Sequence, residues 1–158
     1  DAAGKLRVGE LQKAGIYHIV DATGMTQLSR TPVNAPCFAC NAASSAFSGG
    51  KAFVAAGPPG QMVAVNGADG LPSWAAPIGG GFTYNAVSVA NGVVWTVDSL
   101  GYLDGYDQAT GVPLVTRNLR NDTGVSMVEA TTSTGIAIAR NTLYTAATTF
   151  VIALRPSA

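Results

Sequence analysis

Charge is scarce in this sequence. Charged residues make up 11% of the 158, and nine basic side chains are balanced by nine acidic ones. There is no basic excess and no run of Lys or Arg, which argues against a nucleic-acid partner. Glu and Lys together number five (Glu10, Glu129, Lys5, Lys13 and Lys51), fewer than the solvated faces of a helical protein usually carry. Long apolar runs are also missing. No stretch approaches the roughly 18 residues of a spanning helix, so no membrane span is expected. The single histidine, His18, alternates with Ile16 and Val20. With one His and no nucleophile-elbow glycine pattern, a Ser–His–Asp hydrolase cannot be assembled. The two cysteines form a CxxC, Cys37 and Cys40, but residue 41 is Asn, which excludes covalent haem attachment. A four-ligand zinc site lacks ligands. A thioredoxin-type pair needs a helix N-terminus to activate its thiol, and the surroundings are strand-rich. A short disulfide in a loop is the expectation, with two free thiols as the alternative.

Hydrophobic residues reach 47%, which a disordered chain does not. Gly, Thr, Val and Ala are plentiful, pointing to short strands and tight turns. The N-terminus is polar, with neither a start Met nor a signal peptide, so the chain reads as processed, trimmed or partial. The low-charge composition suits an extracellular or periplasmic protein.

The chain repeats itself. Residues 15–24, 61–70 and 102–111 each run from an apolar strand into a turn closed by glycine, at Gly24, Gly70 and Gly111. Four residues beyond each glycine stands an apolar residue: Leu28, Trp74 and Val115. A fourth copy reads 149–155. Upstream of the second and third turns lie strand pairs, 43–47 with 52–56 and 86–90 with 93–97, joined by Gly49-Gly50 and Asn91-Gly92. Asn-Gly between alternating apolar residues is a strong hairpin signal. Four short antiparallel strands in about 40 to 45 residues describe a propeller blade. The expected fold class is therefore all-β: a β-propeller of four-stranded antiparallel blades. About three and a half blades are present, over 5–31, 43–78, 84–119 and 125–155. The first copy opens on a second strand and the last lacks its fourth. Propellers often close by pairing such a strand with one from the far N-terminus, which removes a sheet edge. The chain thus reads as the C-terminal half of a seven- or eight-bladed propeller. Its partner would be the N-terminal half or a related subunit.

The Asp/Asn-to-Gly turn followed by Trp74 resembles the blade repeat of the pyrroloquinoline quinone (PQQ) propellers. That family includes quinoprotein alcohol dehydrogenases and non-catalytic propellers of outer-membrane assembly factors. The resemblance implies that Trp74 docks between neighbouring blades, with Leu28 and Val115 as weaker substitutes. It also implies that Asp21 and Asp107 cap their turns. Residues 12–21 are similar to the lysine-glycine-aromatic-Asp segment of the alcohol dehydrogenases, whose basic residue contacts the quinone oxygens. This makes Lys13 the candidate cofactor contact and PQQ, with calcium, the cofactor of the complete protein. The family's catalytic aspartate and most of its calcium ligands lie upstream of this segment, so the chain alone would be inactive. The other reading is a protein-binding or assembly scaffold that keeps the fold without the chemistry.

Asp98, Asp104 and Asp107 crowd one hairpin and make a calcium site conceivable. Asp107 is more simply a turn residue. Trp95, in mid-strand, reads as blade core. Residues 121–123 form a glycosylation sequon, Asn121-Asp122-Thr123. A half-propeller would also leave apolar faces without neighbours, near Leu6, Val8 and Leu28 at one end and near Phe150, Ile152 and Leu154 at the other.

Overall fold

The computed structural model describes residues 1, 3–37, 40–81, 83–124, 135–147 and 150–155. The opening of the fourth repeat, 125–134, and Thr149, where the sequence's last copy begins, lie outside them. The described residues build four antiparallel meanders in sequence order. The first sheet holds β1 (Arg7–Gln12), β2 (Ile16–Asp21) and β3 (Gln27–Pro32). The second holds β4 (Ala46–Ser48), β5 (Lys51–Ala56), β6 (Gln61–Asn66) and β7 (Pro72–Pro77). The third holds β8 (Ser88–Ala90), β9 (Val93–Val97), β10 (Tyr102–Asp107) and β11 (Pro113–Asn118). After a short helix α1 (Leu119–Thr123), the fourth holds β12 (Ala137–Ala139), β13 (Thr142–Ala147) and β14 (Phe150–Leu154). The strands β4 and β8, three residues each, touch each other, so the second and third sheets converge along their first strands. Among the described residues the sheets do not close into a ring.

Two-residue turns set the hairpin registers. Gly49-Gly50 and Asn91-Gly92 take positive φ at both positions, the type I′ geometry whose twist matches paired strands. In the fourth sheet Arg140-Asn141 adopts the same conformation, with φ 49° and 59°, without a glycine to signal it.

Burial lies between the sheets. Leu11, Tyr17 and Ile19 of the first sheet meet Val54, Val63 and Val65 of the second. Phe53, Met62 and Ala64 meet Val94 and Tyr106 across the next interface, with the half-buried Trp74 packed against them. Val97 and Leu103 meet Leu143 and Ile152 across the third, which the fully buried Leu119 of α1 plugs. This is the repeat-protein arrangement, in which each sheet covers its neighbour.

The two outer faces differ. On the first sheet Val8 and Leu28 are exposed, but cross-strand partners Glu10, His18 and Arg30 form a polar row beside them. On the last sheet the exposed face carries Val151 and Ala153, with Phe150 at the strand's start. Ile152 and Leu154, expected to lack a neighbour, instead turn inward onto the third sheet, because alternate residues of a strand face opposite ways.

The first turn departs from the expected register by one residue. Asp21 N donates to Thr26 O, as Asn66 N does to Leu71 O and Asp107 N to Val112 O. The positive-φ position is therefore Met25 (φ 50°), matching Gly70 and Gly111 (both φ 76°), and Gly24 falls one place earlier. Ser29, facing Ile19, then occupies the place that Trp74 holds facing Ala64. Leu28 points to solvent. Sequence comparison aligned the glycines because a closing glycine is the usual left-handed residue; here Met25 takes that conformation.

Candidate functional site

Strand direction gathers the longer loops at one end. The turns 13–15, 57–60 and 98–101 share that end with the inter-sheet loops 33–45 and 78–87. The turns carrying Asp21, Gly70, Asp107 and Gly111 lie at the other end. Asp107 is thereby separated from Asp98 and Asp104, and the three do not form one site. Among the described residues no group of three or more His, Cys, Asp or Glu side chains is placed to hold a metal ion.

Lys13 sits in the β1–β2 turn, with its residue exposed. Its carbonyl accepts from Cys37 N at 2.9 Å and from Asn41 Nδ2 at 3.1 Å. Asn41 is 1% exposed. It also donates to Ala35 O, and its Oδ1 accepts from Gly57 N. One amide side chain thus ties three loops together. Cys37 and Cys40 are joined by a disulfide, which closes the loop that Asn41 anchors. Asn34 Nδ2 adds a bond to Pro59 O, and Gln61 Nε2 one to Val33 O. Sequence reasoning read residue 41 only as a missing haem histidine and overlooked Asn41. The available signal was an amide flanked by small apolar residues just after a cysteine pair.

Asp98 and Asp104 lie beneath the second inter-sheet loop, both essentially fully buried. Asp98 Oδ1 accepts from Leu100 N and Tyr102 N, each at 2.9 Å, and its Oδ2 faces Gly80. Asp104 accepts from Gly79 N and from Thr116 Oγ1, each at 3.0 Å. Burial pushes both carboxyls above the ordinary aspartate range, and the backbone N–H donors oppose it only in part. The phenol of Tyr106, whose hydroxyl donates to Pro77 O at 2.8 Å, is also raised, first by burial and then by the two carboxylates. At the opposite end Asp21 and Asp107 are lowered: Asp21 mainly by the N–H groups of Gly24 and Thr23, Asp107 by the hydroxyl and N–H of Thr110. Asp21 also pairs with Arg7.

The sign of the pH effect follows. A carboxyl whose folded pKa is raised contributes stability that is full below the unfolded value and is lost as pH climbs through the folded one. The melting temperature of the wild type minus that of Asp104→Asn should therefore fall between pH 4 and pH 7. A difference that stays flat or grows over that range would show that Asp104 is not held in a charge-disfavouring site.

The remaining candidates are structural in setting. Trp74 spans the second and third sheets, its Nε1 donating to Gln108 O at 3.2 Å. Its ring lies near Phe53 and Tyr106, at 5.8 and 6.3 Å between centroids. A methyl group on Gly111 would lie 2.6 Å from the indole, so the turn and the ring approach as closely as glycine allows. Gly70 meets Ser29 in the same way, and Thr31 Oγ1 donates to Gly70 O at 2.6 Å. Trp95 packs between the third and fourth sheets. His18 Nε2 lies 3.1 Å from Gln12 Oε1. The sequon lies in α1, where Thr123 Oγ1 donates to Leu119 O.

Comparison with known proteins places the fold. The sequence matches no protein-family profile and no curated protein. Solved structures are similar at low identity. BamB from Moraxella catarrhalis aligns at 18% identity with a TM-score of 0.65, over 89% of this chain and 39% of its own. Quinohemoprotein alcohol dehydrogenase ADHIIG from Pseudomonas putida HK5 aligns at 16% and 0.67, over 89% of this chain and 27% of its own. The computationally designed protein Ika4 aligns at 12% and 0.75, over 98% of this chain and 88% of its own. The chain thus has a PQQ-like propeller fold and spans well under half of the two natural proteins.

Proposed function

We propose that this chain is the C-terminal part of a seven- or eight-bladed PQQ-type propeller in an extracellular or periplasmic protein. In the complete ring Lys13 contacts the quinone of an alcohol-dehydrogenase-like oxidoreductase. The observation that carries this is the mounting of Lys13: an exposed cationic residue whose backbone is held by Cys37, Asn41 and a disulfide-closed loop. A fixed cation stabilises the negative charge that grows on ortho-quinone oxygens during reduction. Asp98 and Asp104 are turned onto backbone amides of this chain, so calcium ligands and the catalytic base belong to upstream blades. The apolar outer face of the last sheet is where further propeller, an N-terminal half or a related subunit, would pack.

The complete protein should bind PQQ, and Lys13→Ala should weaken that binding about tenfold or more, as expected for loss of a charge-assisted hydrogen bond worth roughly 1.5–3 kcal/mol. Equilibrium titration with PQQ measures it. Equal affinity in both proteins would return Lys13 to a solvated turn. No binding by the wild type would favour the second reading, an assembly scaffold, which the similarity to BamB and the uncovered face of β14 support.

A further inference from the structure

Two carboxyl groups are sealed beneath the second inter-sheet loop with no cation beside them. Asp98 and Asp104 are 0% and 1% exposed. Neither belongs to an ion pair among the described residues. Arg120 of the neighbouring helix α1 is exposed, and no basic group acts on either carboxyl. The titratable groups that face them are each other, Tyr106 on β10, and Tyr102, whose ring lies against Gly80. The other neighbours are neutral: Thr96 and Thr116 across the ladder, Gly79 and Gly80 above. Asp98 Oδ2 is buried without a hydrogen-bond partner among the described residues. The two aspartates cannot withdraw. Asp104 stands in β10, paired on both sides, and Asp98 grips its own turn through Leu100 N and Tyr102 N. The segment over them is free to yield, because Gly79, Gly80 and Gly81 carry no side chains. Gly79 N to Asp104 and Ile78 N to Gly60 O hold it in place. A buried charge in such a place is costly, and a second like charge beside it costs more.

We propose that Asp98 and Asp104 form a pH-operated latch: with one or both neutral, residues 78–81 stay closed over them, and when both ionise that segment lifts and admits water. The protons pass to solvent. Burial holds both carboxyls above the ordinary aspartate range. Each unit by which a carboxyl titrates higher closed than open changes the opening equilibrium about tenfold, and closure is lost as pH rises. Gly60 packs on the Gly81 carbonyl and its own carbonyl holds Ile78 N, so lifting also frees the 57–60 turn. The latch thus opens the crevice between the second and third sheets at the end where the Lys13 turn lies. It works whether or not Lys13 meets a quinone.

Amide hydrogen exchange of the whole chain, followed by NMR between about pH 4 and pH 8, tests this. Protection is expressed relative to an unstructured chain, so the intrinsic pH dependence of exchange cancels. Protection of the Ile78 and Gly79 amides should fall about tenfold or more over that range. That of Val63 and Ala64, in a strand paired on both sides, should stay constant. Asp98→Asn and Asp104→Asn each remove one of the two charges, so in either variant the Ile78 and Gly79 values should stay constant too. Constant protection of Ile78 and Gly79 in the wild type overturns the proposal. So does an equal fall at Val63 and Ala64, which is global loosening, or an equal fall in the asparagine variants. If neither variant folds, a carbon-13 titration of the wild-type Asp98 and Asp104 carboxyls decides. Midpoints that coincide with the loss of Gly79 protection support the latch, and midpoints at ordinary aspartate values overturn it.

Discussion

A Trp74→Ala protein should unfold about 3 kcal/mol more easily than the wild type, at the lower end of the range for truncating a large aromatic because the indole is only half buried. Three losses combine. The cavity falls between Phe53 and Tyr106, both fully buried and unable to collapse onto each other across a sheet interface. The bond from Nε1 to Gln108 O disappears, although that carbonyl lies near solvent. The Gly111 turn loses the surface it was shaped against. Trp74→Phe keeps most of the ring contact and should lose roughly half as much. Chemical denaturation of both variants measures it, and a loss below about 1 kcal/mol for the alanine variant would mean that Trp74 does not hold the two sheets together.

Gly60→Ala should be at least as damaging, although the change adds one methyl group to a turn. That methyl would coincide with the carbonyl oxygen of Gly81. The obstacle is backbone, so no side-chain rotamer relieves it. Moving Gly81 disturbs a linked set of bonds: Ile78 N to Gly60 O at 2.9 Å, Gly79 N to Asp104, and Gly80 beside Asp98. Displacing that loop exposes or orphans two buried carboxylates, each of which depends on its backbone donors. Overpacking alone costs about 1–3 kcal/mol, and the uncapped carboxylates raise the total to roughly 3 kcal/mol or more. Gly92→Ala is the control. It has positive φ but open space around it, so its loss should be limited to the backbone conformation, about 1 kcal/mol. Similar losses in the two variants would show that the crowding at Gly60 is unimportant.

By itself the sequence determined what local chemistry can encode. Strand alternation, glycine-rich turns and their spacing specify four-strand meanders, and Asn91-Gly92 specifies its own hairpin. The scarcity of Glu and Lys removes long solvated helices, and the only described helix is the five-residue α1. Cys37 and Cys40, three residues apart, are joined as expected. Tertiary structure decided which strands share an interface and therefore what each side chain meets. The one-residue slip that puts Ser29 rather than Leu28 in the place corresponding to Trp74 rests on which residue accepts the left-handed turn, and Met25 gives no local sign of it. Asn41 matters only because three loops, distant in sequence, converge on it. Asp98 and Asp104 look like Asp107 in sequence, yet burial raises the first two and turn donors lower the third. Each of these depends on contacts between residues far apart in the chain, which pattern and propensity do not register.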